Sequence, residues 1–583
     1  MPKQFAVTFE RDVAVPMRDR TILYADVYRP AAPGRYPVLL QRTPYNKASG
    51  IGPGALAVRA VGEGYAVVVQ DTRGRWESEG TFYAFPFERQ DGVDTCAWIN
   101  EQPWANGRIG MFGQSYVGLT QWQAALGGAP GLQAIVPGVT AADYHEGWTY
   151  QGGAFELNFN LGWVLTFLAS DTARRRRDAD PSFEPKMEEL LDRIDGMDGQ
   201  FDRMPLAGDE LLRDLAPYYD DWLAHPAHDE FWDDLKIDGN YGSLDVAAFH
   251  VGAWYDIFLG GTIQNFVGMR TGARTEQARK AQRLLIGPWT HITPITMSAV
   301  GEYDPGVRAS HDAIDFNGLH LRWYDRWLRD VDNGVDDEPP VRIFVMGANR
   351  WRDEQEWPLA RTRYVDWFFH SDGRANTLNG DGVLSQDPPG AGAERPDNYL
   401  YNPLDPAPTK GGGLCCNFYW SQAGRFDQRA IEARADVLCY TSAPLMQDLE
   451  VTGPVRVVLY AASSAVDTDF TAKLVDVCPC GCANNLTDGI VRARYRESTR
   501  EEKLLRPGEV ARYEIDLWAT SNVLPAGHQI RVEISSSNFP RFDRHPNTGG
   551  VIATATKDDC IPALQTIYHD QDHSSRIVLP VID

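Results

Sequence analysis

Long apolar runs are missing from this chain. Nothing in its 583 residues approaches the ~20 consecutive apolar residues that a membrane-spanning helix needs. Met1 to Glu10 lacks the apolar centre of a secretory leader. The expectation is a cytoplasmic protein with no membrane partner. Positive charge is also short: 56 Lys and Arg stand against 80 Asp and Glu, a formal net charge of −24. Little is left to neutralise phosphates, which argues against nucleic acid as a partner. The one basic run, Arg174 to Arg177, is followed at once by Asp178 and Asp180 and reads as a solvated helix end. Cysteine is sparse at eight residues, and in a reducing compartment these thiols should be mostly free. There is no internal repeat and no long low-complexity segment.

What is present is ordinary for a soluble globular protein, with 43% hydrophobic and 23% charged residues. The length exceeds one core and suggests about three or four domains. Aromatics reach 11%, with 17 Trp, which suits buried cores and apolar pockets.

Taken in order, Val13–Pro16 and Ile22–Val27 read as paired strands. Strands at Tyr36–Gln41, Tyr65–Gln70, Ile109–Phe112 and Leu132–Pro137 then alternate with helical stretches at Ala55–Glu63 and Glu88–Asn100. Short apolar runs separated by helices imply a mostly parallel sheet covered on both faces. From Tyr144 to Leu244 the periodicity turns helical, with Leu157–Ala173, Pro185–Ile194 and Asp209–Trp222 as examples. Strands resume at Val246–Ala253 and Arg283–Pro288, so the helical excursion is an insertion. Asp312–Val331 reads as one long amphipathic helix. After the acidic, proline-containing Asp332–Pro340 come short β runs, beginning with Val341–Met346, separated by Gly, Pro and Asn turns. These suggest a sandwich or jelly roll. The expected fold is α/β: an α/β-hydrolase domain with an inserted all-helical cap and a C-terminal β jelly-roll domain. Its boundaries are 1–143 and 246–338 for the hydrolase, 144–245 for the cap and 339–583 for the jelly roll.

The chemistry centres on Gly113-Gln114-Ser115-Tyr116-Val117-Gly118, placed between an apolar strand and a helix-compatible segment. This is the pattern of a nucleophile elbow, which exposes a serine hydroxyl on a strained strand-to-helix turn. Val117 stands where the usual Gly-x-Ser-x-Gly has its second glycine, and a plain turn with an N-cap serine is the competing reading. An α/β-hydrolase orders its triad Ser, acid, His, each after a strand. Asp256 follows the strand Val246–Ala253 through Trp254-Tyr255, and His291 follows Arg283–Gly287 through Pro288-Trp289-Thr290. His291 would take the serine proton and Asp256 would orient the imidazole. The competing readings are a helix N-cap for Asp256 and a hydrogen-bonded loop histidine for His291. An oxyanion hole is also required, and the backbone N–H of Tyr116 is one donor. The loop after Tyr36–Gln41 should supply another; Pro44 has no N–H, so the Tyr45 phenol is the candidate, against simple packing.

These residues, with Arg42-Thr43-Pro44-Tyr45, Asp71-Thr72-Arg73-Gly74, Trp254-Tyr255-Asp256 and Gly287-Pro288-Trp289-Thr290-His291, resemble the cocaine-esterase-like serine hydrolases. That family is related to X-prolyl dipeptidyl peptidases and α-amino-acid ester hydrolases. The likeness continues through Leu524-Pro525-Ala526-Gly527-His528, Ser535-Ser536-Ser537-Asn538-Phe539-Pro540 and Asn547-Thr548-Gly549-Gly550, and so covers nearly the whole chain. The resemblance implies the same three-part architecture, with Gly-x-Ser-Tyr-x-Gly as the family's elbow. It implies Ser115, Asp256 and His291 as the triad and Tyr45 with the Tyr116 N–H as the oxyanion hole. It also implies Phe258 as an aromatic wall for the acyl group, and a homodimer. Trp148 and Trp163 are candidates to close the pocket, or else cap core.

The expected function is cleavage of small carboxylic (acyl or aryl) esters through an acyl-enzyme, with no cofactor and no metal. The alternative is X-Pro dipeptidyl-peptidase or α-amino-acid ester hydrolase activity, for which Asp143 or Glu146 would have to meet a substrate amine. A remote alternative is a non-catalytic carbohydrate- or protein-binding molecule. Cys478-Pro479-Cys480-Gly481-Cys482 and the adjacent Cys415-Cys416 are closely spaced thiols that could bind zinc, but structural zinc sites favour C-x₂₋₄-C spacing with four ligands. The family has an ordinary hairpin at the first of these, so a turn that carries thiols is the reading preferred over a metal site.

Overall fold

The computed structural model describes residues 5–49, 54–291, 299–392, 394–416 and 421–583. Among them, ten strands form the first sheet: β1 (Val7–Pro16), β2 (Ile22–Pro30), β3 (Tyr36–Thr43), β4 (Ala66–Asp71), β5 (Ala105–Gln114), β6 (Leu132–Gly138), β7 (Ala247–Tyr255), β8 (Gln282–Thr290), β9 (Val341–Val345) and β10 (Arg350–Glu354). Their spatial order is β1-β2-β4-β3-β5-β6-β7-β8-β9-β10. The pairings from β4 through β9 are parallel, and antiparallel strands flank them at both ends. All the central strands therefore end on one edge.

The apolar runs of these strands follow from burial on two faces. Val38 and Leu40 of β3 join one core with Cys96 and Ile99 of α2 (Glu88–Glu101) and with Leu119 and Trp122 of α3 (Tyr116–Leu126). Leu39 between them joins the opposite core. There it meets Ala57, Ala60 and Val61 of one helix (Gly54–Gly62) and Leu321, Trp323, Tyr324 and Leu328 of another (Phe316–Arg329). The last helix is shorter than the periodicity predicts, because Asp312–Ile314 forms a separate 3₁₀ turn.

Between β6 and β7 the chain is helical apart from a small hairpin, Tyr150–Gln151 with Ala154–Phe155. Leu157–Trp163 runs through a π-helical stretch, Val164–Ala169, into Ser170–Ala179. The expected helix over Asp209–Trp222 is two, Glu210–Leu215 and Tyr218–Ala224. Pro217 divides them, since it has no N–H to continue the first and bars its predecessor from helical geometry. Trp148, Phe159, Trp163, Leu168, Tyr218 and Trp222 pack into the same core as α2 and α3.

The C-terminal part is built on an eleven-stranded sheet among the described residues. Its longest strand, Leu449–Ser463, pairs antiparallel with Ala511–Leu524, Ala563–Tyr568 and Arg576–Ile582. Alternate residues of that strand, Val457, Leu459 and Ala461, enter a core with Phe470, Leu474, Ile515, Val532 and Leu579.

Val341–Met346, the first β run after the acidic segment, adds to the first sheet: Val341–Ile343 pairs in parallel with Leu284–Ile286 of β8, and Arg350–Glu354 adds to its far side. The helix Phe316–Arg329 is the crossover of a βαβ unit that the acidic segment 332–340 completes rather than ends. Val341, Ile343, Phe344 and Met346 also meet Trp357, Leu359, Ala519 and Ile582 in one apolar cluster that joins the two sheets.

One correction concerns the thiols. Cys415 is paired with Cys416 and Cys478 with Cys480, while Cys96, Cys439, Cys482 and Cys560 are free. Neighbouring positions bring sulfur within reach of sulfur, the paired Cα atoms being 3.8 and 5.2 Å apart. No helix among the described residues is long and apolar enough to cross a membrane.

Candidate active site

Ser115 is the first residue after β5 and sits at φ 61°, ψ −126°, a strained backbone for a residue with a Cβ. It precedes α3, but its side chain makes no cap to that helix, so the N-cap reading does not describe what the hydroxyl does. The Ser115 N–H donates to Gly138 O at 2.9 Å and ties the turn to the end of β6. A Cβ on Gly113 would lie 2.2 Å from Val117 Cγ1, and one on Gly118 would lie 2.9 Å from Thr140 side-chain carbons. The tight approaches therefore fall at residues 113 and 118, which leaves room for Val117 where the commoner motif has glycine. Tyr116 opens α3, so its N–H has no intrahelical acceptor and is available at the turn. Its ring points elsewhere: the hydroxyl donates to Glu88 Oε1 at 3.0 Å and accepts from the Phe85 N–H. Arg42 closes that buried network through an ion pair to Glu88 at 2.8 Å.

Asp256 and His291 are the first residues off β7 and β8, adjacent strands of the parallel edge. His291 Nδ1 lies 2.7 Å from Asp256 Oδ1, with both side chains buried. The helix that follows, α4 (Leu259–Gly272), has Phe258 at its N-cap. Asp256 thus turns its carboxylate to His291 rather than capping a helix. Other histidines are engaged elsewhere. His250 bonds Gln282 Oε1 at 2.9 Å inside the sheet, and His320 Nδ1 bonds Phe316 O at 2.8 Å.

Tyr45 lies just after β3, the strand beside β5. Its hydroxyl accepts from Trp163 Nε1 at 3.0 Å, with the Ser115 hydroxyl as a further neighbour. Burial pushes the phenol well above its usual pKa, against smaller pulls from Trp163 and Arg75. A phenol that stays protonated and already accepts from an indole has its own proton to give. Sequence reasoning gave Trp163 only pocket or core roles; it did not foresee this contact.

Arg75 was missed as well, although it adjoins Asp71-Thr72-Arg73-Gly74. Its guanidinium donates to Pro44 O at 3.1 Å and to Phe167 O and Leu168 O at 2.7 Å each. A residue with no exposure thus fastens the Tyr45 loop to the π-helical stretch that follows Trp163.

Phe258 stands between His291 and Trp148. Its ring is edge-on to the imidazole at 5.2 Å and stacked on Trp148 at 4.3 Å. Phe159 stacks on Trp163 at 5.4 Å and completes an aromatic cluster. The carboxylates considered for an amine site have other duties. Asp143 accepts from His228 Nε2 at 2.7 Å and from the His145 N–H, and Glu146 accepts from the Gly152 N–H at 2.9 Å. Burial holds the Glu146 carboxyl at about 7.

The Cys478/Cys480/Cys482 sulfurs lie together on a turn, within 4.8 Å of one another. Cys415 and Cys416, by contrast, lie close to His291. Nothing in the sequence brought those two stretches together.

Comparison with known proteins bears on the family. Residues 19–293 match the X-Pro dipeptidyl-peptidase (S15) family, and residues 333–578 match the X-Pro dipeptidyl-peptidase C-terminal non-catalytic domain. The chain is 42% identical over 576 residues to a cocaine esterase of Rhodococcus sp. (strain MB1 Bresler), covering 98% of each. A putative serine esterase of Mycobacterium bovis is 27% identical, with 97% of this chain and 94% of the relative covered. Among solved structures, an α-amino-acid ester hydrolase superposes with a TM-score of 0.79 at 25% identity, covering 100% of this chain and 97% of the other. An aminopeptidase from a marine-sediment Thaumarchaeota archaeon shares the fold, with a TM-score of 0.82 at 24% identity over 100% and 97% of the two chains.

Proposed function

Because this chain belongs to the cocaine-esterase-like serine hydrolases and is a serine ester hydrolase, we propose that Ser115 is its nucleophile, His291 its general base and Asp256 the residue that orients the base. Ser115 Oγ attacks the ester carbonyl while His291 Nε2 takes its proton. The Tyr116 N–H and the Tyr45 hydroxyl receive the charge that develops on the carbonyl oxygen. His291 then protonates the departing alkoxide, leaving Ser115 acylated. Water, deprotonated by the same imidazole, releases the acid.

The observation that carries this reading is the Asp256–His291 hydrogen bond of 2.7 Å at the end of adjacent parallel strands, on the edge where the strained Ser115 turn meets the Tyr45 hydroxyl. Nδ1 is committed to the carboxylate, which leaves Nε2 to work as base. Phe258, with Trp148 and Trp163, forms the wall for a flat acyl group, and aryl esters are the preferred substrates. An X-Pro peptidase would need a carboxylate free to meet an ammonium, and the commitments of Asp143 and Glu146 count against it.

In this reading residues 1–143 and 246–354 form the hydrolase domain, 144–245 its helical cap, and the second sheet a jelly roll. The enzyme works in the cytoplasm, without cofactor, as a homodimer. The test is turnover of p-nitrophenyl acetate, butyrate and benzoate by wild type and Ser115→Ala, with fluorophosphonate labelling read by mass spectrometry. Label at Ser115 and loss of turnover in the variant are expected. A folded wild type that labels elsewhere refutes the assignment.

A further inference from the structure

The C-terminal part of the chain brings two sulfurs to the catalytic histidine. Gly412 and Gly424 exchange backbone hydrogen bonds of 2.8 and 3.0 Å, which anchors the strand of chain that follows. At Gly413 that chain lies directly on the acid: a Cβ there would be 3.0 Å from Asp256 O. Leu414 is next, and then Cys415 and Cys416. Cys415 is 3% exposed and shares a core with Phe258 and Trp148, and Cys416 packs against the same core. A ring nitrogen of His291 and the two Sγ atoms all lie within 4.8 Å of one another.

From this juxtaposition we propose that the reduced thiols of Cys415 and Cys416, with Nε2 of His291, form a three-donor site for one divalent cation of the zinc class, and that filling it shuts off ester hydrolysis. The shut-off rests on His291 being the general base; the binding does not.

The donor chemistry fits. Two thiolates and one imidazole, with a fourth position left to water, are a ligand set that zinc takes in proteins. With metal–sulfur bonds of about 2.3 Å on a tetrahedral ion, the two sulfurs, joined in this structure, must part to roughly 3.8 Å once reduced, with the imidazole drawn in to about 2.0 Å from the metal. A ligating histidine usually donates its other N–H to a carboxylate, which fixes the ring and raises its basicity. Asp256 already holds Nδ1 in that way, so the dyad built for proton transfer is also oriented as a metal ligand. Binding releases two protons: the cation and two thiols give the bis-thiolate complex and two H⁺. While the two sulfurs are joined, as they are in this structure, the donors are withdrawn. A dithiol opens them by exchange, its own sulfurs becoming the disulfide as Cys415 and Cys416 take up the two hydrogens. Redox state would therefore decide whether the cation can silence the enzyme.

The experiment uses the full chain carrying Cys478→Ser, Cys480→Ser and Cys482→Ser, so that the thiols of that turn do not compete. It is reduced with a dithiol, freed of reductant without air, and titrated with Co²⁺ and with Zn²⁺. One Co²⁺ per chain is expected, with a thiolate-to-cobalt charge-transfer band. Ester turnover should fall in step with occupancy of either ion and return with a chelator. Cys416→Ser in the same background, and the unmutated pair kept as a disulfide, should lack the band and keep their own turnover at the same metal concentration. His291→Gln should weaken Co²⁺ binding at least about tenfold, a readout independent of catalysis. Absence of the band in the reduced chain, or equal inhibition of Cys416→Ser, refutes the site. If His291 were not the base, the band would form while Ser115-dependent turnover persisted, which overturns the shut-off and separates that failure from failure of the site.

Discussion

Replacing Tyr45 by phenylalanine removes one oxygen from the reaction centre and leaves the ring against Phe167, 5.9 Å away edge-on. The hydroxyl's neighbours in the resting enzyme are Trp163 Nε1, which donates to it, and the Ser115 hydroxyl. If the phenol proton moves onto the oxyanion, Tyr45→Phe loses one of two donors, worth about 2.7–4 kcal/mol, or 10²–10³ in kcat. KM should hardly change, because the ground-state carbonyl gains little from that donor. Stability should fall by about 1–3 kcal/mol at most, the cost of leaving the Trp163 N–H without an acceptor in a dry site. Trp163→Phe separates the two contributions. It keeps the phenol and loses only the hydrogen bond that aims it, so kcat should fall about tenfold. Once the Tyr45 hydroxyl is gone, the second change should add little, and the double variant should be no slower than Tyr45→Phe alone. The assay is steady-state hydrolysis of p-nitrophenyl benzoate by the four enzymes. A Tyr45→Phe enzyme within about threefold of wild-type kcat, or full additivity in the double variant, would refute the role given to the phenol.

Other outcomes follow from neighbouring contacts. Arg75→Lys keeps the charge but replaces the planar fork, whose three nitrogens each bond a different carbonyl, with a single ammonium centre. It should lower kcat about tenfold while fluorophosphonate still labels Ser115, and unchanged kcat would show that the Tyr45 loop holds itself in place. Phe258→Leu removes the ring sandwiched between Trp148 and His291. The benzoate-to-acetate ratio of kcat/KM should drop by a factor on the order of ten, and an unchanged ratio would move the acyl pocket elsewhere. Burial pulls the His250 imidazole down to about 4. The unfolded chain, titrating near 6.5, therefore takes up a proton that the folded one refuses, so stability falls as pH drops from 6.5 through 4. At pH 5 this amounts to about 2 kcal/mol relative to pH 7.5. His250→Gln should flatten that part of the urea-unfolding profile, and an unchanged slope would contradict a neutral buried imidazole.

The parallel sheet was legible because its strands are short apolar runs with both faces covered, each closed by turn residues. The positions just after three of them, 115, 256 and 291, were visible for the same reason. Finer limits depended on pairings that no local pattern carries. Trp254 and Tyr255 continue β7 because β8 pairs alongside them as far as Thr290, whereas the local pattern reads them equally well as loop. The sheet that Val341–Val345 joins was not legible, because an acidic linker precedes it and its partner strand, Leu284–Ile286, lies far earlier in the chain.

The same distinction runs through the site. Which way Trp163 faces depends on helical phase: each residue turns a helix by about 100°, so a direction cannot be read where α-helical turns pass into the π-helical Val164–Ala169. That phase decides whether the indole is filler or the donor that aims Tyr45. Cys415 and Cys416 are an extreme case. They belong to a region whose match is to a non-catalytic domain, yet their sulfurs stand beside the imidazole. If the C-terminal sheet were only a support, substitutions in its loops would change stability and leave chemistry alone. A loop that lies on the backbone of Asp256 and reaches His291 makes the opposite demand, for whatever alters the state of those sulfurs acts within reach of that imidazole.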